Sequence, residues 1–132
     1  MIYRLELVVP RLPRLNTSSW VHWRVKHSDR GDWAVLMRAA LGDAPKPAQP
    51  LERSRLTFER HSSSEPDYTN LVQSFKLIED LLQPPSQRNP GGLSIIANDA
   101  RINVGVPEFK WDKAQRAKGY VRIIVEEVEH GA

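Results

Sequence analysis

Glu65-Pro66-Asp67-Tyr68-Thr69-Asn70-Leu71-Val72-Gln73-Ser74-Phe75-Lys76-Leu77-Ile78-Glu79-Asp80-Leu81-Leu82-Gln83-Pro84-Pro85 is the stretch on which the fold turns. Tyr68, Leu71, Val72, Phe75, Ile78 and Leu82 recur three or four apart, the apolar stripe of an amphipathic helix. Pro66 suits a first helical turn, and Pro84 with Pro85 forbids continuation past about Gln83. Asp67 stands where backbone N–H groups lack partners and the helix dipole is positive, so capping alone accounts for a carboxylate there.

Around this helix the period changes to two. Upstream, Leu56 and Phe58 point inward and Arg55, Thr57 and Glu59 outward, a strand. Downstream, Pro84 to Ser94 reads as a flexible loop, Ile95 and Ile96 resume packing, and Ile102, Val104 and Val106 alternate with Arg101 and Asn103 as a third strand. Val121, Ile123 and Val125 alternate in a fourth. Between these last two lies a basic connection, Lys110, Trp111, Lys113, Arg116 and Lys118, ending at Gly119; it reads equally as a hairpin arm on DNA phosphates or as a solvated turn.

Further upstream, Tyr3, Leu5, Leu7 and Val9 alternate with charged neighbours in a first strand that Pro10 and Pro13 end. The polar segment Arg11 to Ser19, with Asn16, suits a loop. From Asp29 the stripe Trp33, Leu36, Met37, Ala40 and Leu41 marks another helix, with Ser28 or Asp29 as N-cap and Gly42 as its stop. Trp20 and Trp23, before it, are of a type that can stack on bases, but bulky aromatics beside an amphipathic helix are read as core or dimer contacts. Gly42 to Pro50, with three prolines, reads as a surface linker. The order strand, helix, strand, helix, strand, strand predicts an α/β or α+β sandwich: a small mixed sheet of four strands packed with two main helices.

The chain of 132 residues, 40% apolar and 27% charged, suits one domain over residues 1–132. No apolar run approaches the roughly 18 residues of a transmembrane helix. The N-terminal alternation is unlike a signal peptide, and the absence of cysteine fits a reducing compartment, so a cytoplasmic protein is expected. Any metal site must be built on oxygen or imidazole. A net charge of +3 helps approach to a polyanion without identifying one. His22, His27, His61 and His130 lack metal-ligand spacing and are assigned no chemistry.

Asp99, in Ile95-Ile96-Ala97-Asn98-Asp99-Ala100-Arg101-Ile102, is a second carboxylate, placed just before a strand. A helix start and a strand start meeting at one sheet end would bring Asp67 and Asp99 together. Oxygen ligands of that kind suit Mg²⁺ or Mn²⁺, which keep several waters and bind phosphates as further ligands. Asp80, about 20 Å along a continuous helix from Asp67, is expected to lie outside such a site.

Glu65-Pro66-Asp67-Tyr68-Thr69-Asn70-Leu71, the run Phe75 to Leu82, and Asn98-Asp99-Ala100-Arg101-Ile102 together resemble the pattern of the RusA-type Holliday junction endodeoxyribonucleases: Asp-x-Asp-Asn-Leu opening a helix, a helix ending near Asp-x-Leu, and a later Asp-Asp before a strand. Pro13-Arg14-Leu15-Asn16 resembles the Pro-x-x-Asn loop of that family, and the match runs from Leu5 to Val125 in the same element order. The resemblance implies a metal-dependent nuclease cutting branched DNA as a homodimer in recombination and repair, and a prophage origin. It aligns Asp67 with the first metal-binding aspartate, Asn70 with the following asparagine and Asp99 with the last aspartate.

Three positions depart from the family pattern. Thr69 replaces its second helix-start aspartate, Asn98 the first aspartate of the later pair, and Gln73 a lysine at the phosphate. The expected site is therefore Asp67 and Asp99 on one Mg²⁺ or Mn²⁺, with Thr69 and Asn70 orienting ligands or water. Lys76, one turn beyond Gln73, steadies the phosphate. Asn16, Lys110, Lys113, Arg116 and Lys118 are the expected DNA contacts. The competing expectation is a RusA-like fold that binds DNA or a protein partner without cutting.

Overall fold

The computed structural model describes residues 2–15 and 23–129. Strand β1 spans Arg4–Val9, helix α1 Trp23–Leu41, β2 Ser54–Ser62, α2 Tyr68–Ser74, α3 Lys76–Leu81, α4 Arg101–Val104, β3 Glu108–Lys113 and β4 Tyr120–Glu127. The four strands form one mixed sheet in the order β1-β4-β2-β3. β4 runs antiparallel to both β1 and β2, whereas β2 and β3 are parallel. A parallel pair needs a crossover, here the whole passage through α2, α3 and α4.

Register fixes which side chains share a face. Leu7, Ile123, Phe58 and Phe109 lie in one row, and Val9, Val121, Arg60 and Trp111 in the next. This face packs with Trp33, Met37 and Leu41 of α1 and with Leu71, Phe75, Ile78 and Leu81 of α2 and α3. The Phe58 ring stacks 5.1 Å from Phe75 and 5.5 Å from Phe109, tying the sheet to the junction between α2 and α3. The opposite face carries charge: Arg122 pairs with Glu6 across β1 and lies 3.9 Å from Glu59 on β2. The expected small mixed sheet of four strands packed with two main helices, here α1 and the broken helix α2–α3 on one sheet face, is therefore the observed architecture.

Several elements differ from the sequence reading. The helix of residues 68–82 is broken at Phe75, because Ser74 Oγ donates 2.7 Å to the Leu71 carbonyl and competes with the regular ladder while the fully buried Phe75 ring is drawn into the aromatic trio. Tyr68, expected on the buried stripe, is 65% exposed. α1 begins at or before Trp23, so Ser28 and Asp29 lie within it and do not cap it. Gly42 ends that helix as expected, at φ +53°, its N–H donating 3.1 Å to the Arg38 carbonyl.

The expected strand through Ile102 and Val104 is the short helix α4. Asn98 Oδ1 accepts from the Ala100 N–H (2.9 Å) and from Asn103 Nδ2 (2.7 Å), which winds the chain at this point. The third strand lies later, at Glu108–Lys113, and takes in half of the expected basic arm. β3 and β4 are separated by β2, so they form no hairpin. The segment Pro84 to Ser94 is not a loose loop: the Leu93 N–H donates 2.8 Å to the Leu81 carbonyl and its side chain is buried, while Ile95 and Ile96 pack in the core as expected. Thr57, expected outward, is also buried in the sheet centre.

Candidate nucleic-acid interface

The face of α1 that buries Trp33, Met37 and Leu41 continues toward the N-terminus as Trp23, Lys26, His27 and Arg30, still at helical spacing. Beyond the sheet this stripe faces α2 and α3 across a cleft of about 420 Å³. Gln73, Lys76, Leu77 and Asp80 form the far wall, and Arg14 and Arg88 line the remainder. Arg14, Lys26, Arg30, Lys76 and Arg88 outnumber the lining carboxylates Asp29 and Asp80, and Asp99 at the lip pairs with Lys76, which leaves an excess of positive charge with His27 neutral.

Part of that charge is compensated. Arg14 Nε lies 2.6 Å from Asp29 Oδ2, and Arg30 Nη2 3.7 Å from Asp80 Oδ2. Arg30 Nη1 also donates 2.7 Å to the Arg88 carbonyl, fixing the loop of residues 84–96 against α1. Lys26 and the Arg88 guanidinium form no ion pair among the described residues. Two flexible cations beside a partly neutralised framework are what binding a phosphate chain requires.

At the lip of the cleft, Lys76 Nζ donates 2.7 Å to Asp99 Oδ2 and sits 3.3 Å from Asp80 Oδ1 and 4.0 Å from Glu79 Oε1. Burial opposes the Lys76 charge, but the hydrogen bond to Asp99 and the charges of Asp80 and Asp99 prevail and raise its pKa. The hydrogen bond from Lys76 is the main reason that Asp99 is held below the usual carboxylate range. Glu79 is pushed up to about 7, first by burial and then by the neighbouring carboxylates, against the pull of Lys76.

The structure thus brings together Lys76 and Asp99, two of the expected site residues, and adds Asp80, expected to lie outside the site. Asp67 caps α2: its Oδ1 accepts from the Asn70 N–H and its Oδ2 from Asn70 Nδ2, both at 2.9 Å. Thr69 is exposed on the first turn. Among the described residues no hydrogen bond or ion pair joins Asp67 to Asp99.

Among the described residues no three His, Cys, Asp or Glu are grouped to hold a metal, both Asp67 oxygens are engaged by Asn70, and Asp99 is engaged by Lys76. The Asn98 side-chain carbonyl is taken up by the hydrogen bonds that wind α4.

Of the expected DNA contacts, Asn16 lies outside the described residues. Lys110 and Lys113 occupy the edge strand β3, three residues apart and so on opposite faces of the sheet, and Arg116 and Lys118 are exposed in the turn that follows. Lys110 Nζ is 3.4 Å from Glu108 Oε2. They are not one basic arm. His27 lines the cleft, while His61 is largely buried, stacked 4.2 Å from Tyr120 with Nε2 3.1 Å from Glu59 Oε1.

The cleft escapes the sequence reading because that reading starts the first helix at Asp29. Extending the helix back six residues puts Trp23, Lys26, His27 and Arg30 on one face, a signal present in the spacing alone. No helix among the described residues is long and apolar enough to cross a membrane. No protein-family model matches the chain and no curated protein is significantly similar to it, so the likeness to RusA-type nucleases rests on its motifs.

Proposed function

We propose that this chain is a RusA-like cytoplasmic protein that engages branched DNA in recombination and repair, as a homodimer, and that the cleft between α1 and α2–α3 holds the phosphate backbone. The observation that carries this reading is the excess of positive charge in that cleft, with Lys26 and Arg88 outside its internal ion pairs. Neutralising phosphates there releases counterions from DNA, which makes affinity strong at low salt and steeply salt-dependent. A four-way junction has twofold symmetry, so two related clefts in a dimer match it.

Cleavage of that DNA is a second reading, favoured by the meeting of Lys76 and Asp99 at the lip of the same cleft. An ammonium and a carboxylate placed beside a bound phosphate are the parts that the RusA resemblance assigns to the reaction. With so few carboxylates, Mg²⁺ or Mn²⁺ would enter only with DNA phosphate oxygens as co-ligands.

The test is incubation of a labelled four-way junction with wild type, Asp99→Asn and Asp67→Asn, in Mg²⁺ and in Mn²⁺. Retarded but intact junctions are expected under the binding reading. Paired nicks that both substitutions abolish would establish the nuclease, and absence of any retarded complex at low salt would sink both readings.

A further inference from the structure

Arg60 lies on the core face of the sheet, in the row of Val9, Val121 and Trp111, and is 7% exposed. Taking a guanidinium out of water is costly unless an opposite charge replaces the solvent. Among the described residues Arg60 has no ion pair: its Nη1 donates 2.9 Å to the Pro13 carbonyl and its Nε 3.4 Å to Ser62 Oγ, and neither acceptor is charged. Ser62 Oγ is shared, since it also accepts from Trp111 Nε1 at 2.9 Å and donates 2.8 Å to the Ser64 carbonyl. Burial alone pulls the Arg60 pKa down, with no carboxylate opposing it.

Nor does the rest of the chain hold an anion in reserve: residues 1, 16–22 and 130–132, outside the described set, contain no Asp or Glu. The guanidinium keeps an open edge. Among the described residues the fully enclosed side-chain nitrogens and oxygens without a partner are Ser54 Oγ and Asn89 Oδ1, so Nη2 of Arg60, which donates to none of these neighbours, reaches solvent. Because β4 is antiparallel to both β1 and β2 while β3 is parallel to β2, the carboxyl ends of β1, β2 and β3 share one edge of the sheet, and Arg60 stands two residues from the end of β2. Carboxyl ends of strands are where open α/β sheets bind ligands.

We propose that Arg60 is the receptor for a phosphate group at the carboxyl ends of β1, β2 and β3, a site apart from the cleft, whose lining does not include it. The planar fork offers parallel N–H groups to two oxygens of one phosphate, which supplies the negative charge that the protein leaves out. In a chain of net charge +3 the more highly charged phosphate is favoured over a carboxylate. The phosphate is either free or part of a DNA backbone, and the site does not depend on DNA occupying the cleft.

The experiment is thermal unfolding of wild type, Arg60→Gln, Arg60→Lys and the cleft variant Lys26→Glu with Arg88→Glu, titrated with inorganic phosphate and with acetate at fixed pH and ionic strength. Phosphate should raise the wild-type melting temperature and saturate, as a ligand of the folded state does, and acetate should act far more weakly. The cleft variant should keep the wild-type midpoint, and Arg60→Gln should lose the saturable rise. Arg60→Lys gives up one charge-assisted hydrogen bond and should need roughly 10- to 150-fold more phosphate. In the cleft variant a DNA duplex that also raises the melting temperature identifies backbone phosphate as the source, and a duplex without effect identifies free phosphate.

A rise that never saturates and is equal in Arg60→Gln is the general exclusion of phosphate from protein surfaces and would overturn the site. Loss of the rise in the cleft variant would place the anion in the cleft, and acetate as effective as phosphate would make the ligand a carboxylate; either overturns the proposal. Should Arg60→Gln not fold, Arg60→Lys decides, and an unchanged midpoint would leave Arg60 as a clamp on the Pro13 carbonyl and nothing more.

Discussion

Glu79 is a carboxyl group packed where water solvates its charge poorly, beside the carboxylates of Asp80 and Asp99. Its pKa in the folded protein is about 7 against an ordinary 4.5, so between those values the folded state holds a proton that the unfolded chain has lost. The resulting stabilisation is complete below about pH 4.5 and is lost as pH rises through about 7. Asp99 works in the opposite direction: its depressed pKa gives stability that is present above the ordinary carboxylate range and disappears in acid. Holding one extra proton in the folded state is worth about 1.4 kcal/mol for each pH unit between the two pKa values. Wild type should therefore lose up to about 3 kcal/mol between about pH 5 and about pH 8, whereas Glu79→Gln should be nearly flat over that window. Denaturant unfolding of both proteins at the two pH values measures this, and parallel behaviour would rule out Glu79 as the cause. Asp67 was legible as a cap from its position alone, and Asp67→Ala should cost about 1 kcal/mol while Asp67→Asn, which keeps the cap, should cost little. The grouping of Glu79, Asp80 and Asp99 around Lys76 was not legible, because it depends on where the passage after α3 returns.

Among the elements, the strands with one buried face were the readable ones. Leu5, Leu7 and Val9 are buried and alternate with exposed neighbours, as the sequence pattern required. β3 was hidden because an edge strand keeps charges on both sides: in Glu108-Phe109-Lys110-Trp111-Asp112-Lys113 only Phe109 and Trp111 turn toward the core. The Ile102 to Val106 alternation misled for the converse reason, since a run that short fits a single helical turn as well as a strand, and the side chain of Asn98 decides between them. The docking of residues 84–96 onto α3 depends on Gly92, where a Cβ would lie 2.3 Å from the Gln83 carbonyl oxygen and 2.7 Å from the Pro84 carbonyl carbon. These are backbone atoms with little freedom to move, so Gly92→Ala should destabilise the fold by on the order of 1–3 kcal/mol, the usual cost of overpacking. It should also displace Arg88 from the cleft, so DNA affinity should fall together with stability. Thermal unfolding alongside a binding titration tests this, and an unchanged melting temperature would show that the loop relaxes at no cost.

At the scale of the molecule, net charge and its placement are separate facts, and only the first is visible in a sequence. The chain carries +3 overall, and five cations line the cleft against Asp29, Asp80 and, at its lip, Asp99, so much of the net charge is concentrated there. That concentration arises because α1, α3, Arg14 and Arg88, distant along the chain, converge on one side of the sheet, whereas the basic run from Lys110 to Lys118 that stood out in the sequence is spread over two sheet faces and a turn. The two distributions make opposite predictions for charge reversal. Lys26→Glu combined with Arg88→Glu should abolish DNA binding at physiological salt, and should lower the slope of log affinity against log salt by about 0.9 for each duplex phosphate contact removed. Lys110→Glu with Lys113→Glu makes the same change in net charge on β3, where Lys110 already faces Glu108, and should weaken binding only through the general field, an effect that salt screens within about 8 Å. If the β3 pair proves as damaging as the cleft pair when both are measured at physiological salt, the DNA lies along the sheet edge and the cleft is not its site.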